Sequence, residues 1–579
     1  MRSVAIILAL AATAPAAAAV DVSPVKPPFH DEAHVSGAQR SFGHTRPGNQ
    51  RLLVTFSDRP SATAAARRLA GLGAVRATAP QAGVFAVTPG QPATARARAL
   101  RRAGVEAAEW ALERHSDAEP SELAALPLLP VPDPVDPLLA SQWWLKLPGL
   151  WRAGITGSDL RPRIAILDGG IDVDHEEWGG PASPLVEPYS TYPGRVGADD
   201  WGRSGHGTHV AGIAAAPANG VGVVGAAPAL AGKAEVIPVQ IADQDGRSTD
   251  ETMIEGIRWA VQHEAKVINI SAGGPGYSRA FQRTVDWATA RGALIVASVG
   301  NEGDADNILN YPAAYAHVLG VGAICDEVVS PPECPDPYGL ALFTNHNRSL
   351  DVLGPGVKIL SSLPLSVTED QVQPGYGLKD GTSMAAPFVA GVAALVFGTH
   401  PKASPYQVLR HIQNTAEDMG VTGRDDFTGY GKVNPEAAVT LELPLDDRDE
   451  PNDDIPARRA TLKATTDVPS VISARADRFD DAEDVYPVFL RKGQRMRARI
   501  EYTKGFLNLY LWQPGTRTVV TTVKGNVSAN LLAFGGKLGQ TTQSITVVAP
   551  RTGRYFLNVF ARRGGSQYTL TVDTKPAGL

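Results

Sequence analysis

The sequence predicts an α/β protein built around a mostly parallel sheet, preceded by a small α+β module and followed by an all-β sandwich. Three observations carry that prediction. From about residue 140 to 443, continuous Val/Ile/Leu runs alternate with helical runs, as in parallel strands covered on both faces in three layers. Residues 117–137 hold six prolines and several acids, the composition of an exposed linker. Beyond Asp446 the texture changes to Asp/Asn/Pro-rich turns and strands of period two. A chain of 579 residues has material for three or four domains of roughly 100–200 residues each.

Taken in order, Met1-Arg2-Ser3 leads into an apolar run over 4–12 and ends in Ala17-Ala18-Ala19, a secretory signal over residues 1–19. Its apolar core is too short for a stable membrane span, and it predicts export to a periplasm or the medium. Residues 45–116 read as an α+β module: strand 51–56, helix 62–72, strand 83–88, an Arg-rich helix 93–103 and a last strand over 105–112. A linker covers 117–135. The central domain, 136–443, has strands predicted at 163–167, 234–241, 266–270, 293–297 and 317–323. The segment 384–397 is apolar all round but only about four turns long, which fits a buried central helix better than a membrane span. Residues 446–579 form the sandwich, with strands such as 544–548 and 555–559.

Charge excludes some functions. The 54 basic and 60 acidic residues give a net charge of -6, with no general basic field for nucleic acid. Residues 40–116 nevertheless carry twelve Arg and no Lys against four acids. That surplus either forms a solvated helical face or docks the module on the acidic remainder of the chain. The only two cysteines, Cys325 and Cys334, close a ten-residue segment. In an exported chain they are expected to form one local disulfide, worth roughly 2.5 to 3 kcal/mol by loop entropy.

Three blocks in the central domain carry chemistry. Arg163-Ile-Ala-Ile-Leu-Asp168-Gly-Gly puts a carboxylate at the carboxyl edge of the sheet, where α/β proteins collect functional groups. Gly205-His206-Gly207-Thr208-His209 places an imidazole between glycines at the start of a small-residue helix, open to an approaching backbone. His206 and His209 stand at helical spacing for a metal, but no third ligand completes a zincin pattern. Gly381-Thr382-Ser383-Met384-Ala385-Ala386-Pro387 sets a serine at a helix N-terminus, where backbone N–H groups favour negative charge. Alone, the Asp reads as a turn residue and the Ser as an N-cap. Together they are the parts of a nucleophilic triad.

With these blocks the chain resembles the subtilisin-like serine proteases, whose triad runs Asp, His, Ser. A fourth block, Val296-Ala-Ser-Val-Gly-Asn301-Glu-Gly303, resembles the family's oxyanion segment. The resemblance implies that Ser383 attacks the scissile carbonyl, His206 carries the proton, Asp168 orients the imidazole, and Asn301 helps to stabilise the oxyanion. It implies substrate pairing along Ile268-Asn-Ile-Ser-Ala-Gly-Gly274 and a pocket from Ser271, Ala272, Gly273, Gly300 and Asn310. Gly169, Ala272 and Asp250 depart from the residues usual in the family, Asp250 lying near a position often aromatic. Asp136-Pro137-Leu138 resembles the calcium-binding arm of thermitase-like relatives, with Glu177 and Asn219 as further oxygen ligands and carbonyls near Pro217, Val221 and Val223. Structural Ca²⁺ is the one cofactor implied, and no organic cofactor is expected. Residues 51–116 resemble the family's propeptide, which implies an intramolecular inhibitor released by self-cleavage within 113–134. The tail resembles pre-peptidase C-terminal domains, with Tyr510, Trp512, Tyr555 and Phe560 expected in its core. Protein or peptide substrates follow as partners. A silent binding protein conflicts with the intact Asp168, His206, Ser383 and Asn301, and an esterase of the α/β-hydrolase type conflicts with the absence of a Gly-x-Ser-x-Gly elbow.

Overall fold

The computed structural model describes residues 51–575 apart from 117–118, 121–135, 147–160, 180–182, 196, 230–233, 327–333, 369, 422, 445, 447–461, 463–468, 478–482, 517–518, 520–529 and 564. The expected signal segment and most of the linker lie outside the described residues.

The first module contains β1 (Leu52–Phe56), α1 (Ala62–Arg68), β2 (Gly73–Ala79), β3 (Val84–Pro89), α2 (Pro92–Leu100) and β4 (Val105–Trp110). Its antiparallel sheet has the order β2-β3-β1-β4. The expected helix over 62–72 ends earlier because Gly71 and Gly73 take positive φ, and the chain turns into β2, a strand whose Ala-rich sequence gave no alternation. Period two explains how the sheet is shared: Leu52, Val54 and Phe56 face the module's own core, while Leu53, Val84 and Ala86 join the core of the central domain. Short strands β5 (Glu113–Ser116) and β6 (Glu119–Pro120) follow.

Seven parallel strands make the central sheet. In chain order they are β7 (Arg163–Asp168), β8 (Tyr189–Ser190), β9 (Glu235–Gln240), β11 (Ala265–Ile270), β13 (Leu294–Ser298), β14 (Val318–Ile324) and β15 (Val352–Pro355). Their spatial order is β15-β14-β13-β11-β7-β9-β8. The pieces β10 (Arg247–Thr249) and β12 (Ala272–Gly273) stand apart from it. An antiparallel unit is formed by β16 (Ile359–Ser362), β17 (Gln371–Gln373) and β18 (Tyr376–Asp380), with β6 added to β18.

The main helices are α3 (His206–Ala215), α4 (Asp250–Gln262), α5 (Arg279–Thr289), α6 (Thr382–Thr399) and α7 (Pro405–Thr415). Leu167 points toward Gly256 of α4 and the next residue, Asp168, toward Gly207 of α3, so helices cover both faces of the sheet. Helix α6 is long and apolar enough to cross a bilayer, but it is buried inside the domain, where Trp144 packs edge-on against its Phe388. Cys325 and Cys334 are disulfide-bonded.

The carboxyl-terminal sandwich has two antiparallel four-stranded sheets. One contains Ser470–Asp477, Gly565–Lys575, Arg495–Tyr502 and Thr542–Val548, the other Glu483–Leu490, Gly553–Arg563, Phe506–Trp512 and Leu531–Gly535. In Arg495–Tyr502, Met496, Ala498, Ile500 and Tyr502 turn inward and Arg495, Arg497 and Glu501 outward. Of the four aromatics expected in the sandwich core only Tyr555 lies there: Trp512 is buried in a separate cluster with Val485, Val519 and Phe556, and Phe560 and the half-buried Tyr510, which alternate with the core residues Val559 and Leu509, pack against each other on the other face.

The close approach of α6 and α3 depends on Gly391, where a Cβ would lie 2.9 Å from the Ala214 carbonyl oxygen and 2.7 Å from the Ala226 Cβ. Gly391→Val is expected to overpack this contact at a cost of about 1–3 kcal/mol. In a Ser383→Ala background, which removes the expected self-cleavage, the thermal midpoint should fall by several degrees. An unchanged midpoint would contradict the packing described.

Candidate active site

Three element ends meet at the carboxyl edge of the sheet. Asp168 closes β7 and accepts a 2.7 Å hydrogen bond from the Gly169 N–H. His206 opens α3, and its Nδ1 lies 2.9 Å from both Asp168 carboxylate oxygens. This approach requires Gly207, since a Cβ there would sit 2.0 Å from the Gly170 carbonyl oxygen and 3.1 Å from the Asp168 Cβ. With Nδ1 donating to the carboxylate, Nε2 presents its lone pair, and that buried atom has no hydrogen-bond partner.

Ser383 is the second residue of α6. Pro387 lies four residues on and has no N–H to offer the Ser383 carbonyl. Instead, the Ser271 hydroxyl donates to that carbonyl at 2.8 Å, and Asn269 Nδ2 donates to the same hydroxyl at 3.0 Å. The Ser383 hydroxyl donates to the Ser271 carbonyl at 3.1 Å. Rotation about its Cα–Cβ bond is the only internal change that redirects it, and catalytic hydrogen bonds commonly align only with substrate bound. Asn301 is oriented by two donors: the Thr382 N–H at 3.0 Å and hydroxyl at 2.9 Å both reach its Oδ1, which makes Nδ2 the donor end of the amide.

The expected pocket residues divide between strand and wall. Ala272 and Gly273 form β12, Ser271 precedes it, and Asn310 packs against Gly273 while donating to the Ser298 carbonyl at 3.2 Å. Gly300 neighbours Asn301 and lies against Asn345. Between β10 and β12 lies β5 of the preceding segment, antiparallel to both, with Arg114 opposite Ser248, His115 opposite Gly273 and Ser116 opposite Ala272. Beyond it, Glu119 and Pro120 pair with Asp380 and Lys379 of β18, so the chain has a strand on either side of Ser383.

The module is held to the domain by opposite charges. Arg51 and Arg76 pair with Glu251, and Arg76 also with Glu255, all on the outer face of α4. In the reverse sense, Glu106 pairs with Arg279 at 2.6 Å and Glu109 accepts the Arg279 backbone N–H at 2.9 Å, capping α5. Burial raises the Glu109 pKa. Most of the other module arginines bind within the module, as Arg98 does with the Gly71 carbonyl and Arg68 with Asp58. The docking surface therefore uses a few specific pairs rather than the whole basic surplus.

Asp136 and Glu177 are both fully buried, as the calcium expectation requires. One oxygen of each is satisfied: Asp136 Oδ1 accepts the N–H groups of Asn219, Gly220 and Val221, and Glu177 Oε2 accepts that of Val223. The other oxygens, Asp136 Oδ2 and Glu177 Oε1, have no hydrogen-bond partner. Burial pushes the Glu177 pKa up to about 8, with Asp136 and Glu176 adding in the same direction. Two unsatisfied, mutually repelling carboxylates fit a hard cation. Asn219 donates to the Glu177 carbonyl at 3.1 Å and its Oδ1 accepts the Val221 N–H. Among the described residues no group of three or more His, Cys, Asp or Glu side chains is arranged to hold a metal ion, so side chains alone do not complete a cation site at Asp136 and Glu177. His209 is buried, donates to the Gly377 carbonyl and has a pKa held well below the usual value by burial, then by Lys379.

Sequence reasoning missed Asp200. It accepts the Thr208 hydroxyl at 2.6 Å and the Gly202 N–H at 2.9 Å, fixing the first turn of α3 beside Asp168. Burial raises its pKa from the usual 3.8 to about 6; the Thr208 hydroxyl opposes this and the Asp168 charge adds to it. The folded state therefore binds this proton at pH values where the unfolded state has lost it. Its contribution to stability should fall, by on the order of 2 kcal/mol, as pH rises from about 4 to 6. Denaturant unfolding of Ser383→Ala with and without Asp200→Asn tests this: the stability difference between the two chains should change across that window, and a pH-independent difference would refute it.

The model of the subtilase family matches residues 161–431. Subtilisin E of Bacillus subtilis strain 168 is 36% identical over 297 residues, covering 51% of this chain and 69% of that one. The subtilisin of Bacillus pumilus is 36% identical over the same length, covering 51% of this chain and 96% of its own. Among solved structures, fervidolysin of Fervidobacterium pennivorans, a keratinolytic enzyme related to subtilisin, aligns with a TM-score of 0.57 at 21% identity, over 90% of this chain and 92% of that one. The chain belongs to the subtilase family of serine endopeptidases.

Proposed function

We propose that the protein is an exported endopeptidase that cleaves extended polypeptides through an acyl-enzyme formed on Ser383, and that it is made as a self-processing zymogen. The observation that carries this reading is His206, anchored by Asp168 through Nδ1 and left with an unpartnered Nε2 next to the cleft where β5 lies. A substrate strand takes the place of β5 between β10 and β12, through main-chain pairing that suits an extended peptide. The Ser383 oxygen attacks the carbonyl carbon while Nε2 takes its proton. The imidazolium, stabilised by Asp168, returns that proton to the departing amine. Water repeats the sequence to release the acid. The Ser383 N–H and Asn301 Nδ2 receive the oxyanion.

The zymogen reading rests on the strands β5 and β6 on either side of Ser383 and on the paired charges that seat the module. It places processing at the short connection between Ser116 and Glu119, within the 113–134 stretch, with 1–19 as export signal and 45–116 as inhibitor. Residues 136–443 form the catalytic unit and 446–579 an appended sandwich. Asp136, Glu177 and Asn219 would hold a structural Ca²⁺, which would neutralise two buried carboxylates and fix the arm that starts at Asp136.

Wild-type protein is expected to lose its first module, hydrolyse casein and label with a fluorophosphonate, whereas Ser383→Ala should do none of these. Asn301→Ala should lower kcat by about 10²–10³-fold with KM little changed. A processed and active Ser383→Ala would overturn the assignment. For the cation, saturation near 100 times Kd should stabilise the Ser383→Ala chain by about 2.7 kcal/mol. The thermal midpoint should rise with Ca²⁺, fall with chelator, and respond to neither in Glu177→Gln; chelator insensitivity of the parent chain would remove the site.

A further inference from the structure

Arg114 is the most enclosed charge in the cleft. Its side chain has no solvent exposure, nor does that of its partner Asp250. Every N–H direction of the guanidinium is met. Nε donates to Asp250 Oδ1 at 2.9 Å, and one terminal nitrogen reaches the same oxygen at 2.8 Å and the Gly276 carbonyl at 3.0 Å. The other terminal nitrogen reaches the Gly274 carbonyl at 2.6 Å and the Pro275 carbonyl at 3.1 Å. Tyr311 and Tyr315, both buried, lie close enough to interact with it electrostatically. Three consecutive carbonyls and one carboxylate match a planar five-donor fork, and a lysine ammonium has only three donors.

The cavity belongs to the catalytic unit, and its occupant belongs to the segment that the zymogen reading removes. Asp250, at the start of α4, and the 274–276 backbone remain after cleavage, with a carboxylate and three carbonyls that have lost the arginine's donors, Gly274 alone among the three carbonyls keeping a backbone donor, the Tyr311 N–H. We propose that this cavity is a side-chain specificity subsite of the enzyme, which therefore prefers polypeptides with arginine at the fourth residue before the scissile bond. The strand register sets the position. His115 faces Gly273 and Ser116 faces Ala272. One further step reaches Ser271, whose carbonyl is hydrogen-bonded to the Ser383 hydroxyl. An extended substrate with its arginine in the Arg114 cavity thus brings the third residue after that arginine to the nucleophile, and the bond following it is cut. A site whose buried polar groups require a donor rejects analogues lacking it, because those groups are then left unpaired.

This inference rests on the protease reading, and its test separates the two. The wild-type, self-processed enzyme is assayed on a matched series of internally quenched peptides that differ only at the fourth residue before the cleaved bond: arginine, lysine, glutamine or leucine. Rates are normalised to the fluorophosphonate-labelled fraction. Arginine is expected to exceed leucine in kcat/KM by on the order of 10²-fold and lysine by on the order of 10-fold. In Asp250→Asn the arginine-to-leucine ratio should collapse to about threefold or less. Should that variant fail to fold, the wild-type ranking decides alone. Peptide turnover with no preference for arginine would overturn the subsite while leaving the protease reading intact, and would make Arg114 an anchor for the precursor only. No turnover and no labelling would remove the protease reading and the subsite together.

Discussion

The burial of one apolar helix governs where the chemistry sits. Helix α6 is hydrophobic on all sides, so it is stable only when wrapped by the sheet and by α3, and that wrapping fixes its first turn at the sheet edge. Ser383 inherits its position from this. The same constraint explains Pro387, which frees the Ser383 carbonyl for the Ser271 hydroxyl and so ties α6 to the segment ahead of β12. On the other side, Gly207 lets α3 close onto Asp168, and Asp200 holds the first turn of α3 through Thr208 and Gly202. Asp168, His206 and Ser383 come from separate elements, but each is placed by packing or by a buried hydrogen bond rather than by a loop.

The module ahead of the catalytic unit is held in the same way, by a sheet buried on both faces. Leu53, Val84 and Ala86 extend the central core outward, and the ion pairs of Arg51, Arg76 and Glu106 ring that apolar contact. The apolar face supplies affinity. The charges set register and orientation, and the buried carboxylates of Glu106, Glu251 and Glu255 would be left unpaired by a misdocked module.

Much of the site was legible in the sequence because its signals are local. Asp168 precedes two glycines at a strand end, His206 sits between glycines at a helix start, Ser383 lies four residues before a proline, and Asn301 follows a glycine. Five of the seven parallel strands were legible as apolar runs, with boundaries within a residue or two, while the short edge strands β8 and β15 were not. What escaped depends on partners far apart in the chain. Glu109 caps a helix 170 residues away, and Asp250 holds an arginine 136 residues away. A lone Asp at a helix start reads as an ordinary first-turn acid. Only its burial opposite a guanidinium shows otherwise. Strand β2 escaped for a different reason: it is an edge strand, mostly exposed or half-buried, held by pairing with β3, and its Ala-rich sequence carries no β signal.

On the zymogen reading, inhibition and cleavage share one geometry, and the difference between them lies in how the strand is held. In the precursor, β5 pairs with β10 and β12, β6 pairs with β18, and the covalent connection makes that pairing intramolecular at a high effective concentration. Cutting the connection removes the β6 tether but leaves β5 anchored by Arg114, by Glu109 on α5, and by the apolar face of the module. The product should therefore stay bound after the bond is broken, and latency should end only when the module itself is released or degraded. A module with an Ala-rich sheet, two short helices and a small core of its own depends heavily on its host for cover. Once displaced, it keeps only that small core and loses the cover that Leu53, Val84 and Ala86 find on the central domain, which disfavours rebinding.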